Sequence, residues 1–248
     1  VGWQEKRGQY GLENSIFLQL ELHRGNGDII TIASDGSWTC NTGPILSSDF
    51  MMGEEYDARR EMKDWSSPSF DESNWLNAKT VEAPGVPLVA QRSEPVRINQ
   101  TLTPVSMKEV RTGTFLYDLG QNIAGWVRIR LNEPEGTRIQ IRHGERLDEE
   151  GQLYTENLRR AKATDVYICR GNGDEVWEPV FTFHGFQYVE ISGLSSTPDI
   201  QTVTGCLVQS STPLAGHFEC SRDDINRLWL NALWGQRDNF LSVPTDCP

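Results

Sequence analysis

Two acidic segments contain the residue types that acid–base chemistry needs. The first, Gly53–Arg60, holds Glu54, Glu55 and Asp57 beside two arginines. Hydrolysis of a glycosidic bond needs two carboxyl groups in different environments across a sugar ring. Glu54 and Glu55 are adjacent, so on a strand they point to opposite faces, and the nearby arginines would keep the acids ionised. The sequence therefore favours a salt-bridged structural loop over a catalytic pair.

The second acidic segment, from His143 to Gly151, places one histidine among several carboxylates. His143 and Glu145 are two residues apart, so on a strand they share a face and are placed to ligate a metal or exchange protons. The sequence indicates no third ligand, and we expect a charged hairpin end rather than a metal site. His184 stands between aromatic residues and is expected to be a hydrogen-bonded core histidine. The two segments thus predict no catalytic residue, no metal ligand and no cofactor.

Two tryptophans in polar surroundings are candidates for sugar binding. Trp65 and Trp75 are flanked mainly by Asp, Ser and Asn. Exposed aromatic faces stack on pyranose rings, although most aromatic residues of the chain are expected in the core, and Trp75 would also serve to close the end of a β-sandwich. No glycine-rich loop precedes a helix, as nucleotide binding requires, and no Ser, His and Asp can be ordered into a hydrolase triad.

Composition excludes several classes of partner. The 248 residues carry a net charge of −12, the wrong sign for binding nucleic acid or anionic lipid through bulk electrostatics. We find no apolar run of the roughly 18 residues that a membrane span needs, and no visible export signal. Five widely spaced cysteines without a C-x-x-C pair indicate reduced, mostly buried thiols. The chain starts without Met and ends without a polar tail, so we expect a piece of a longer protein, which leaves cytoplasmic and exported locations both open.

Most of the chain alternates apolar and polar residues in short runs, which is typical of antiparallel strands. Residues 16–22 and 29–32 predict a hairpin around Arg24–Asp28. Four prolines between residues 84 and 104 indicate a linker or an edge crossing. A second block of strands follows, beginning with residues 125–131, and its short spacing predicts a β-sandwich.

The last segment changes to a helical period. Ser221 and Asp224 resemble a capping box, and we predict a helix over residues 222–238. A β-rich chain that ends in its first long amphipathic helix is most simply a β-region leading into a helical domain, and a lone helix packed on the sandwich is the alternative. One face of this helix is apolar and consists of Ile225, Leu228, Trp229, Ala232 and Leu233.

A series of short motifs runs in a fixed order through the second strand block and beyond it. In that block the motifs are residues 117–128, 143–147, 153–159, 163–167 and 183–190. In order and spacing they resemble the bacterial α-L-rhamnosidases, and this block is similar to the concanavalin-like β-sandwich of that family. Gly53–Arg59 with Trp65 and Trp75 resembles the closing half of the family's N-terminal jelly-roll-type domain. Residues 218–248 resemble the entry into its (α/α)₆ barrel.

The resemblance implies a mainly β fold with two β-sandwich regions, jelly-roll-type and concanavalin-like, followed by the start of an (α/α)₆ helical barrel. We expect residues 1–82 to be the C-terminal part of the first sandwich and 83–110 to be a proline-rich linker or edge. Residues 111–208 are expected to form the concanavalin-like sandwich. Residues 209–248 would then hold a linker and the first helix of a truncated catalytic domain.

The resemblance also implies a function for the longer protein, which is the inverting hydrolysis of terminal α-L-rhamnosides. The family's general acid lies in an Arg-Asp-Glu-Arg stretch expected just after Pro248, and its base lies further downstream, so this chain alone is expected to be inactive. Asp246 matches an aspartate that contacts rhamnose and is the one substrate-binding residue implied here, a structural aspartate being the alternative. A rhamnosylated small molecule or polysaccharide is the expected partner, and the oligomeric state is open. The competing hypothesis is a stand-alone, non-catalytic carbohydrate-binding sandwich.

Overall fold

The computed structural model describes residues 13–82, 85, 87 and 89–245. The chain divides into two compact units. One unit is built from the described parts of residues 1–43 and 62–90, and the other from residues 44–61 and the described parts of 91–248. Secondary structure is mainly β, as the alternating pattern predicts.

The first unit contains four strands within the described residues. The predicted hairpin is confirmed, because its two strands pair antiparallel from Gln19 opposite Ala33 to His23 opposite Ile29. Its turn places Gly27 at φ +91°, a conformation that glycine adopts without steric cost. A second, two-residue pair completes the unit. The strands of this unit are β1 (Gln19–His23), β2 (Ile29–Ala33), β3 (Thr39–Cys40) and β6 (Leu76–Asn77).

The second unit is built around one large sheet. Ten strands of the described residues form it, in the order β4-β5-β13-β10-β15-β9-β16-β7, with β8 and β14 also paired to β9. These strands are β4 (Ile45–Asp49), β5 (Gly53–Asp57), β7 (Val96–Leu102), β8 (Ser106–Arg111), β9 (Thr114–Leu131), β10 (Arg138–Gly144), β13 (Thr164–Ile168), β14 (Glu175–Trp177), β15 (His184–Ser192) and β16 (Val203–Ser210). Two small pairs lie outside the sheet, β11 (Arg146–Leu147) with β12 (Leu153–Tyr154), and β17 (Phe240–Leu241) with β18 (Val243–Pro244).

The 18-residue strand β9 organises the core of this unit. Its first half pairs with β15 and its second half with both β16 and β14. Val127, Ile129 and Leu131 are buried as the alternation predicts, while Arg128 is half-buried and Arg130 is exposed. The turn at residues 132–136 leads to β10, which pairs with β13 and β15 and forms no hairpin with β9.

Residues 44–61 belong to the second unit although they precede much of the first in sequence. Strand β5 runs parallel to β13, with Glu55 opposite Val166 and Asp57 opposite Ile168. Gly53 is required at the start of β5, because it adopts φ +103° and an added Cβ would lie 2.1 Å from the Thr164 carbonyl oxygen. The sequence interpretation grouped these residues within 1–82, and the segment 83–110 expected as a linker or edge contains β7 and all of β8 except Arg111.

The predicted helix is present as α1, Asp223–Asn239. The expected capping box is wrong, because the N-cap is Arg222, which has no side-chain cap, and the Asp224 carboxylate instead accepts from Arg222 Nε at 3.0 Å. The two acidic residues of the first turn suit the positive end of the helix dipole. Helix α1 is only partly covered, since Trp234 packs against the core while Leu228 is 63% exposed. Among the described residues, no helix is both long enough and apolar enough to be a membrane span.

Candidate functional site

Glu54, a candidate acid of the first segment, is buried and holds a neighbouring loop. Its carboxylate accepts hydrogen bonds from the backbone N–H groups of Val180 at 3.2 Å and Phe181 at 3.0 Å. The loop is tied a second time, because the Thr182 hydroxyl donates to the Asp49 carbonyl at 3.0 Å. A carboxylate engaged in this way is a structural acceptor.

The other charged residues of the first segment form ion pairs. Asp57 accepts from Arg59 Nε at 2.8 Å, and this hydrogen bond holds the Asp57 pKa below its usual value. Glu55 lies 3.4 Å from Arg138, a residue of β10. The geometry agrees with the predicted salt-bridged structural role, but the segment forms strand β5 and a short 3₁₀ turn rather than a loop, and it gives these acids no shared substrate face.

His143 and His184 stack on each other in the interior of the sheet, and the Asp165 carboxylate lies beside both. The three residues lie on β10, β15 and β13 and are almost fully buried. His184 Nε2 lies 3.1 Å from Asp165 Oδ1, and His143 Nδ1 lies 3.0 Å from the Ala163 carbonyl. Asp165 Oδ1 also accepts from the backbone N–H of Glu54 at 2.8 Å, which fastens β5 to β13. Sequence reasoning identified His184 correctly as a hydrogen-bonded core residue and missed Asp165.

Burial sets the protonation of this cluster. The loss of solvent around His143, together with the neighbouring His184, lowers the His143 pKa to about 3 and keeps its ring neutral. Burial alone would raise the pKa of Asp165, but the hydrogen bond from His184 and the N–H of Glu54 hold it below the usual value. The cluster therefore carries its negative charge on a fully engaged carboxylate.

The same cluster brings three metal-ligand types together, with ligand atoms within 4.8 Å of one another. His143 Nε2 has no hydrogen-bond partner. The two imidazole rings are stacked, however, with centroids 4.1 Å apart and planes 24° apart. A nitrogen lone pair lies in the plane of its ring, so two stacked rings cannot both direct their Nε2 atoms at one cation at the usual distance of about 2.0–2.1 Å. The residues do not fit a metal centre in this arrangement, and they act as a packed polar core.

Glu145, the proposed partner of His143, instead faces helix α1. Its carboxylate accepts from Asn122 Nδ2 at 3.2 Å. Asp238, in the last turn of α1, accepts from the backbone N–H of Ala124 at 3.0 Å. Burial raises the Asp238 pKa to about 6, and the negative charge of Glu145 adds to the shift. Asp238 was not singled out in the sequence, although an acid in the last turn of a helix opposes the helix dipole and is a signal in itself.

The two aromatic candidates belong to the first unit. In the first unit Trp65 is 61% exposed, while Trp75 is partly buried, with its ring 5.6 Å from that of Phe70. Asp246 and Pro248 lie outside the described residues.

Comparison with known families accounts for nearly the whole chain. Residues 108–209 match the bacterial alpha-L-rhamnosidase concanavalin-like domain. Residues 1–100 match the alpha-L-rhamnosidase N-terminal domain, and residues 213–248 match the bacterial alpha-L-rhamnosidase 6 hairpin glycosidase domain. The chain belongs to the bacterial α-L-rhamnosidase family.

Rhamnosidases of known sequence extend far beyond the matched region. An alpha-L-rhamnosidase of Streptomyces avermitilis is 44% identical over 97% of this chain, and one of Formosa agariphila is 37% identical over all of it. These matches cover 23% and 27% of the two relatives, so the chain spans about a quarter of their length.

Solved rhamnosidase structures share the fold. The crystal structure of the Streptomyces avermitilis enzyme complexed with L-rhamnose matches 96% of this chain and 23% of its own, with a TM-score of 0.91 at 44% identity. The enzyme of Dictyoglumus thermophilum matches 94% of this chain and 26% of its own, with a TM-score of 0.90 at 42% identity.

One rhamnosidase-like motif, residues 117–128, lies within β9. Its Asp118 carboxylate accepts from the backbone N–H of Gly120 at 2.7 Å and from Gln187 Nε2 at 2.9 Å. Gly120 has φ +72°, so the motif encodes a local turn of the strand. At least part of this motif is therefore explained by folding rather than by contact with a substrate.

Proposed function

We propose that this chain is the front, non-catalytic part of an α-L-rhamnosidase, an inverting glycoside hydrolase that releases terminal α-L-rhamnose. The ordered match of three rhamnosidase domains along the chain carries this proposal. The helical match at residues 213–248 supports the view that α1 is the first helix of an (α/α)₆ barrel. The exposed Leu228 supports the same view, since an apolar side chain on α1 is left for a partner surface.

The buried carboxylates support placing the chemistry outside the described residues. Glu54 binds two backbone N–H groups, and Asp165 binds His184. Glu190 is bridged by Arg111 at 2.7 Å and Arg142 at 2.6 Å. A general acid must be free to give its proton to the leaving oxygen, whereas these carboxylates are engaged by donors within the fold. We accordingly keep the expectation that the general acid follows Pro248 and that the base lies further downstream.

Asp246 is proposed to contact the rhamnose, and the residues that directly precede it are held by the fold. Strands β17 and β18 form a short pair directly after α1. The backbone N–H of Ser242 donates to Ser210 Oγ at 2.8 Å, which ties the turn to β16. Thr245 is bound to the end of α1, since its N–H and hydroxyl both donate to Asn239. The chain is thus fixed up to the residue before Asp246.

The test uses the protein encoded by the reading frame continued past residue 248. We expect it to hydrolyse an aryl α-L-rhamnoside and to release β-L-rhamnose first, as ¹H NMR of the anomeric proton would report, while the 248-residue chain shows no turnover. Asp246→Asn in the longer protein should lower kcat/KM by at least about 100-fold, a loss typical of a contact made in the transition state. Hydrolysis by the short chain, or a longer protein that cleaves no rhamnoside, would overturn the proposal.

The alternative of a stand-alone sugar-binding sandwich predicts a different result. The short chain would then bind L-rhamnose, and the reading frame would end at residue 248. The exposed indole of Trp65 favours this alternative. Isothermal titration of the wild-type chain and of Trp65→Ala with L-rhamnose tests this alternative. The stand-alone sandwich predicts binding by the wild type that is lost in the variant.

A further inference from the structure

A groove of about 500 Å³ lies between helix α1 and the edge of the large sheet. Strands β7 and β16 form one wall, helix α1 forms the other, and residues 212–216 close one side. This volume falls in the range of small-molecule sites, about 300–1,000 Å³. None of the groups discussed above as candidate acids lines it.

The lining has the chemistry of a sugar site. Four carboxamides line it, those of Asn99, Gln100, Gln209 and Gln236, and each offers both a donor and an acceptor. Trp229 and Arg237 are also among the lining residues. Among the described lining residues there is no carboxylate, which argues against a cation. Carboxamides and an indole together suit a ring that carries hydroxyl groups on its edge and C–H bonds on its face.

Gln209, which lines the groove, has a side-chain acceptor that receives no hydrogen bond. It is 9% exposed, and its Oε1 has no hydrogen-bond partner. With the Asn99 amide in its satisfied orientation, Gln209 Nε2 donates to Asn99 Oδ1 at 3.2 Å. The amide is therefore held at one end and open at the other, and a buried carbonyl without a donor is costly. A ligand hydroxyl that reached Gln209 Oε1 would supply the missing donor.

The groove also reaches the segment that leads to Asp246. Phe240 lines it and is the first residue of β17, the strand that begins the short pair after α1. A ligand in the groove would therefore touch both the sheet edge and the start of β17.

We propose that this groove is an accessory carbohydrate subsite that binds a neutral sugar unit, with the ring against Trp229 and the hydroxyls on Gln209 and Gln236. The choice of a rhamnosylated sugar as the ligand rests on the proposed function. The existence of the groove and its carboxamide lining is observed independently of that function.

Binding is tested on the 248-residue chain by titration with methyl α-L-rhamnopyranoside, followed by ¹H–¹⁵N NMR of the indole and side-chain amide signals. We expect the signals of Trp229, Gln209 and Gln236 to shift together. Gln236→Ala, on an exposed helix position, should weaken binding by about tenfold, as expected for a lost hydrogen-bonding residue. Arg227→Ala on the same helix is the matched control, because it does not line the groove, and it should bind as the wild type does.

The outcomes separate the groove from the proposed function. No shift at millimolar sugar, or a loss of binding in Trp65→Ala with Gln236→Ala unchanged, would overturn the subsite. Shifts of the groove signals by methyl α-D-glucopyranoside alone would support a sugar subsite while counting against rhamnosides. The subsite would be overturned, and the proposed function left standing, by two results together. The longer protein would hydrolyse rhamnosides with an unchanged KM when Gln236 is replaced, and the 248-residue chain would show no NMR shift.

Discussion

The interior of the large sheet and the end of helix α1 treat buried acids in opposite ways. Asp165 in the sheet keeps a lowered pKa because a histidine and a backbone N–H point at its carboxylate. Asp238 on the helix has its pKa raised to about 6, since burial and Glu145 outweigh the N–H of Ala124. Preorganised donors thus decide whether a buried carboxylate stays ionised. The interior of the sheet favours the ionised form of Asp165, whereas the end of α1 favours the protonated form of Asp238.

The largest expected effect comes from protonation of His143 in the sheet. Its pKa is about 3 in the folded chain and about 6.5 in the unfolded chain, so the unfolded state binds the proton first. Stability should fall as pH drops below about 6.5, by up to about 1.4 kcal/mol per pH unit until about pH 3. His143→Phe should remove this part of the slope in urea unfolding curves.

A matched control for that slope is His23→Phe, because His23 is exposed on β1. This variant should keep the wild-type pH dependence. An unchanged slope in His143→Phe would show that the sheet does not hold the ring neutral.

Replacement of Glu54 tests whether the sheet uses its acid for structure. Glu54→Gln removes the charge that receives the N–H groups of Val180 and Phe181. We expect a loss of about 1–3 kcal/mol in unfolding free energy, as for a buried charged hydrogen bond. In the longer protein, kcat per folded molecule should stay nearly unchanged. A drop of several orders of magnitude in kcat would place chemistry in the sheet and contradict the comparison.

Replacement of Asp238 tests the helix junction with the opposite sign. Its raised pKa means that the folded state binds the proton more tightly, so stability should decrease as pH rises from about 4 to about 6. Asp238→Asn removes this loss and still offers an acceptor to Ala124. Relative to the wild type, the variant should gain at most about 1 kcal/mol between pH 4 and pH 8, because the site is partly solvated. If the variant instead gained stability relative to the wild type as the pH fell, the pKa of Asp238 would be lowered in the folded chain rather than raised.

The smallest effect is expected at the exposed face of α1. Leu228→Ser should change the unfolding free energy of this chain by no more than about 0.5 kcal/mol, since the side chain has little cover to lose. Thermal melts of the short chain and the longer protein give the contrast. A larger loss in the longer protein would indicate that further helices cover this face, and equal small losses would contradict the barrel.

Sequence patterns predicted the elements whose formation depends on residues close together in the chain. The β1–β2 hairpin and the bounds of α1 were predictable from alternation and helical period, because neighbouring residues decide both. The parallel pairing of β5 with β13 was not, since Glu54 N and Asp165 Oδ1 join residues 111 positions apart. The same separation in sequence hid the residues around His143: only nearby Glu145 was considered beside it, whereas its neighbours Asp165 and His184 come from other strands. Asp246 was identified only through the resemblance to a family, and it lies outside the described residues.

The position of β5 has a consequence for synthesis of the protein. Glu54 cannot meet the N–H of Val180 until 126 further residues have been added. At about 5–20 residues per second, this delay is on the order of ten seconds. Through that interval a strand with an unpaired edge and an unmatched carboxylate leaves the ribosome. The sheet is completed late, and until then the unpaired edge of β5 is a site at which another chain can pair.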